Sequence, residues 1–98
     1  MKLGPSLTQE AAEGLAIQAL AFIAGDSERL GRFLAITGIG PAEIRAAARE
    51  PGFLTGVLDH LAGDERLLAA FAAETGLDPT HVGKALVALG GHWEREIP

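Results

Sequence analysis

The chain has 98 residues, a net charge of −5, 48% hydrophobic residues and no cysteine. That length supports one domain with a single core and no staples. The missing cysteines exclude a disulfide framework and a thiolate metal site, which fits a reducing compartment, and the acidic balance opposes indiscriminate binding to nucleic acid or anionic lipid while leaving room for a local basic face.

Met1-Lys2 leads into a polar stretch with Glu10 and Glu13, and the apolar run Leu15 to Ala24 is interrupted by Gln18. This is neither a signal peptide nor a membrane span, so the expectation is a cytoplasmic protein without a membrane partner. Ser6 or Thr8 can cap the first helix, with Ser6 and Gln9 at capping-box spacing, and Gly25 ends it. Leu15, Ala16, Ala19, Leu20 and Ile23 form one stripe, and Ile17 and Phe22 lie off it. A helix apolar nearly all round is expected at the centre.

Asp26 is an N-cap candidate for a second helix with core residues Leu30, Phe33 and Leu34, ending at Gly38, where a left-handed residue suits glycine. Pro41 falls at the first position of a third helix carrying Ile44, Ala47 and Ala48, and Glu50-Pro51-Gly52 breaks the chain. Phe53, Leu54, Val57, Leu58 and Leu61 then make a new stripe. Asp64 caps a helix with Leu67, Leu68, Phe71 and Ala72, Gly76 ends it, and Pro79 opens a last helix with Val82, Ala85, Leu86 and Leu89, stopped by Gly90-Gly91. No segment shows sustained β-type alternation.

The order of signals is the same twice. An ungapped offset of 38 lays Leu20–Ala47 onto Leu58–Ala85 with 11 of 28 positions identical, where shuffled composition would give roughly three. The predicted fold is therefore all-α: one domain over 1–98, six helices in two three-helix repeats at about 15–50 and 53–90 related by a pseudo-two-fold axis, and a tail at 91–98.

What both repeats keep is caps, turns and apolar spacing. The stretches QALAFIAGDSERLGRFLAITGIGPAEIRAAA, PGFLTGVLDHLAGDERLLAAF and GGHWEREIP resemble the alphaproteobacterial domain-of-unknown-function family numbered 3572, from about Glu10 to the end. The resemblance implies a small bacterial helical protein and brings no activity, ligand or catalytic residue with it.

Three features are candidates for function. Gly38-Ile39-Gly40 resembles the turn of a helix-hairpin-helix motif, in which backbone amides meet a phosphate, and Arg29, Arg32, Arg45 and Arg49 surround it. Against this, copy two has Asp78 where a phosphate would sit, and a helix-end glycine followed by proline makes such a turn for structural reasons alone. His60 and His81, with Asp59, Asp64 and Asp78 nearby, are the material for a metal site but lack metal-ligand spacing. Trp93, with Ile97 four residues on, is either an anchor for a protein partner or an aromatic folded back over the groove between the repeats.

No nucleophile with a partnered base and no phosphate loop is visible. The expectation is a non-enzymatic protein-interaction module without catalytic, cofactor or metal residues, in which Trp93 and Ile97 meet the partner; nucleic-acid binding through the Gly38-Ile39-Gly40 turn is the alternative.

Overall fold

The first helix starts where a hydroxyl can satisfy an otherwise unpaired amide: Thr8 Oγ1 accepts the Ala11 N–H at 3.0 Å. In this computed structural model, which describes residues 8–50 and 52–90, the chain then forms α1 (Gln9–Ala24), α2 (Ser27–Thr37), a 3₁₀ turn (Pro41–Glu43), α3 (Ile44–Ala47), α4 (Phe53–Ala62), α5 (Glu65–Thr75) and α6 (Thr80–Ala88). No strand occurs among the described residues.

The expected caps and stops recur in both halves. Asp26 Oδ1 accepts the Glu28 and Arg29 amides at 2.9 and 3.4 Å, and Asp64 Oδ1 accepts those of Arg66 and Leu67 at 3.0 and 3.1 Å. Gly38 and Gly76 follow α2 and α5 with φ of 76° and 77°, the left-handed region that a Cβ disfavours. Just before each glycine a threonine hydroxyl bonds back into its own helix, Thr37 Oγ1 to Phe33 O at 2.8 Å and Thr75 Oγ1 to Phe71 O at 2.7 Å.

The helices bury their stripes in one core. α1, α4 and α6 pack on one another, α2 lies on α1, and α5 lies on α4. Ala12, Leu15, Ala16, Ala19, Phe22 and Ile23 of α1 meet Phe53, Val57, Leu58 and Leu61 of α4 and Val82, Ala85 and Leu86 of α6 within the buried cluster. Phe33 and Phe71, each 1% exposed, are the largest fully buried side chains contributed by α2 and α5. Around them Leu30, Leu34, Leu67 and Leu68 are partly buried.

Three expectations need correction. The third helix of the first half is only the 3₁₀ turn and the four residues of α3, while its counterpart α6 has nine. Leu86 of α6 and Leu89 at its C-terminal cap, both packed in or against the core, correspond under the offset to Ala48 and Pro51, so the segment lacks the apolar anchors that would hold a longer helix. The chain instead unwinds through 3₁₀-type bonds from Arg49 N to Ala46 O and Glu50 N to Ala47 O. Ala48, expected in the core, is exposed.

Pro79 stands at the opening of α6 with helical φ and ψ of −56° and −26°, and Asp78 Oδ1 accepts the Thr80 amide at 2.9 Å, so the aspartate supplies the cap. On the central helix Phe22 is buried as expected of an all-round apolar segment, but Ile17 is 57% exposed, with no described helix over that side of α1.

Candidate functional site

α2 and α5 leave a groove between them, and each sends a phenylalanine into an aromatic contact in the core. Phe71 of α5 meets Phe22 of α1 edge-on with centroids 5.3 Å apart, and Phe33 of α2 meets the His60 ring of α4 edge-on at 5.1 Å. These contacts are reciprocal, because residues 22 and 60, and 33 and 71, are equivalent under the 38-residue offset. Each half sends the phenylalanine of its second helix to the first helix of the other half. Such pairs contribute about 0.5–1.5 kcal/mol beyond buried area.

The walls differ. On the α2 side stand Glu28, Arg29, Arg32 and Ile36, and on the other side His60, Gly63, Asp64 and Leu67. Where α2 has Arg29 and Arg32, α5 has Leu67 and Ala70. The Arg29 guanidinium carbon lies 4.1 Å from the Phe22 ring centroid, a cation–π geometry. Its Nε is 4.0 Å from Asp26 Oδ2, a partly exposed pair that counts for positioning more than for energy. Arg32 has no ion-pair partner among the described residues.

His60 is half-buried at the centre of this groove. Burial holds its pKa below the ordinary 6.5, the Asp64 carboxylate pulls it back up, and the Arg32 guanidinium adds to the lowering. Asp64 is itself engaged as the α5 cap. The result is a mixed surface: a fixed cation, a cation without an ion-pair partner among the described residues, and a largely neutral imidazole beside a capping carboxylate.

The hairpin turn has its amides occupied. Gly38 N–H donates to Leu34 O at 2.8 Å, Ile39 N–H to Thr37 Oγ1 at 3.4 Å and Gly40 N–H to Glu43 Oε1 at 3.3 Å. Glu43 thus puts a carboxylate where a phosphate would have to sit. Arg29 and Arg32 line the groove facing α5, whereas Arg45 and Arg49 are exposed on and after α3 and line no part of it. The four arginines do not face one ligand.

The histidines are also separated. His60 faces the α2/α5 groove, while His81 lines a shallow apolar depression with Ala11, Gly14, Leu15, Gln18 and Leu77, its Nδ1 3.3 Å from Asp78 O. Asp78, acidified by its hydrogen bonds from Thr80, is likewise a local cap. Among the described residues no three histidine, aspartate or glutamate side chains converge as a metal site would require. Trp93 and Ile97 lie outside the described residues.

The sequence places Arg29 and Arg32 beside a hairpin turn and offers His60 only as material for a metal site without metal-ligand spacing; it does not show that the three share a groove. The signal was present in the aligned copies: Phe22 against His60, Arg29 against Leu67 and Arg32 against Ala70 all exchange chemistry at positions whose neighbours match.

Among the described residues no helix is long and apolar enough to cross a membrane. No curated protein and no solved structure matches the chain. A family model described as "Protein of unknown function (DUF3572)" matches residues 9–92, and the chain belongs to that family.

Proposed function

We propose that the protein is a non-enzymatic, cytoplasmic protein-interaction module, and that a segment of its partner seats in the groove between α2 and α5. In this reading the two halves are copies related by a pseudo-two-fold axis, and the groove lies where they exchange their aromatic contacts. The single observation that carries it is the composition of the walls: Glu28, Arg29 and Arg32 on one side, His60, Asp64, Arg66, Leu67 and Ala70 on the other, and Ile36 left 65% exposed at the rim. A groove that mixes charges of both signs with exposed apolar side chains fits a segment with both apolar and polar faces.

The test is site-specific photocrosslinking in the native cell extract. A photoreactive residue at Ile36 should capture a defined partner, and one at Val87, which is 61% exposed on α6 away from the groove, should not. Capture of the same set of proteins from both positions would overturn the assignment of the groove. Deleting residues 91–98 tests the tail in the same experiment: if Trp93 and Ile97 anchor the partner, capture at Ile36 falls with the deletion.

A further inference from the structure

The groove holds a half-open pocket, and its chemistry selects a ligand. A pocket of about 190 Å³ is bounded by Glu28, Arg29, Arg32, His60, Asp64 and Leu67, far larger than the ~15 Å³ one water needs. Arg29 and Arg32 are three apart on α2, so their stems rise about 5–6 Å from each other on one face of the helix. The first guanidinium is fixed over the Phe22 ring and beside Asp26. The second has no carboxylate within ion-pair distance among the described residues. Two carboxylates line the same pocket: Glu28, one turn before Arg32 on α2 and beyond ion-pair distance of it, and Asp64 across it, whose Oδ1 accepts the Arg66 and Leu67 amides as a helix cap.

Two guanidinia one turn apart, one fixed by its contacts and one without an ion-pair partner among the described residues, can each donate to one oxygen of a planar carboxylate. We infer that this pocket receives a carboxylate, specifically an aspartate or glutamate side chain of the protein partner, bridged by Arg29 and Arg32 while its aliphatic stem lies on Leu67. The inference rests on the groove being the binding site. It adds the chemistry: an acidic residue with an apolar neighbour on the docking segment.

His60 supplies the readout. It faces Asp64, Asp59 and Glu65 on the α4–α5 side and Glu28, Arg29 and Arg32 on the α2 side. A carboxylate entering the pocket adds a negative charge next to the ring and partly cancels the effect of Arg32, so the imidazole pKa rises towards its ordinary value.

The experiment is an NMR titration of the full chain with N-acetyl-glutamate methylamide as probe, with the glutamine analogue and sodium chloride at matched ionic strength as controls. The glutamate probe should give saturable shifts at His60 and at Arg32, with a higher His60 pKa in its presence, and the analogue and chloride should not. Arg32→Gln should weaken binding about tenfold or more, as loss of a charge-assisted bond does. Arg45→Gln should leave it unchanged. Both positions are exposed, and an unaltered melting temperature verifies that the variants fold.

Equal shifts with the glutamate and glutamine probes, or undiminished binding in Arg32→Gln, would overturn the carboxylate site. The outcome separates from the broader proposal: if Ile36 still captures its partner in the Arg32→Gln variant while Val87 does not, the groove stands as a docking surface and this inference alone fails. Saturation by inorganic phosphate with the same arginine dependence, and none by the glutamate probe, would likewise overturn it.

Discussion

The first half of the molecule, α1 to α3, and the second, α4 to α6, use the same devices at the same places yet present different faces. Asp26 and Asp64 cap alike, Gly38 and Gly76 turn within a degree of each other, and Phe33 and Phe71 are equally buried. The surfaces above them diverge, with Arg29 and Arg32 opposite Leu67 and Ala70, and Phe22 exchanged for His60. Helix ends and core packing tolerate few solutions, so both halves repeat them. A solvent-facing wall is free to change, and here the change produces a groove with unlike sides.

The sharpest way to break the comparison is to empty its two centres. Phe33→Ala and Phe71→Ala should each cost about 3–5 kcal/mol, the range for removing a buried ring, measured by urea unfolding. Similar losses are expected because both rings are fully buried and each stacks edge-on against the other half. A loss below about 1 kcal/mol at either site would mean that the second helix of that half is not part of the core.

That both phenylalanines would be buried was legible from one string, because each follows a leucine by three residues and precedes a threonine and a glycine that stop its helix. The helix caps were legible for the same reason: an aspartate, a hydroxyl or a glycine acts on its own neighbours within four residues. The short α3 was half-legible, since Ala48 and Pro51 already stood where α6 has Leu86 and Leu89. The groove was not legible. Arg32 and Asp64 are 32 positions apart, and only packing of α2 on α1 and of α5 on α4 brings them to one pocket. Spacing arguments see the helix a residue lies on and not the helix opposite. The arginines were therefore grouped with the turn that follows them in the chain.

The turns offer a smaller and more even comparison. Gly38→Ala and Gly76→Ala should each destabilise by about 1–2 kcal/mol, because each places a Cβ in the left-handed region while meeting nothing within 4 Å. The penalty is therefore backbone strain and not a clash. Thermal unfolding that shows either variant as stable as the parent would place the end of that helix elsewhere.

The caps come next, at about 1 kcal/mol each for Asp26→Ala and Asp64→Ala. Here the two halves should separate. Asp26 also holds Arg29 beside the groove, so its loss should reduce binding of the glutamate probe. Asp64 stands across the pocket as a negative charge, so its loss should strengthen binding while costing similar stability. Opposite binding effects at similar cost in melting temperature are the expected pattern. Effects of the same sign would show that the two aspartates do not act on the pocket in the way their geometry implies.

The smallest effect isolates the exchange of Phe22 for His60. Burial keeps the folded-state pKa of His60 below 6.5, so near pH 7.5 the ring is neutral in both states and its site contributes full stability. As pH falls through about 6.5 the unfolded chain takes up a proton before the folded one does, and stability is lost until pH passes below the folded-state value. The melting temperature should therefore decline between about pH 7 and pH 5, before carboxylate titration dominates. His60→Phe, which gives the second half the residue of the first, should remove that component of the decline. Asp64→Ala should deepen it, because the aspartate raises the His60 pKa towards its unfolded value. A decline of unchanged size in His60→Phe would assign the titration to another group.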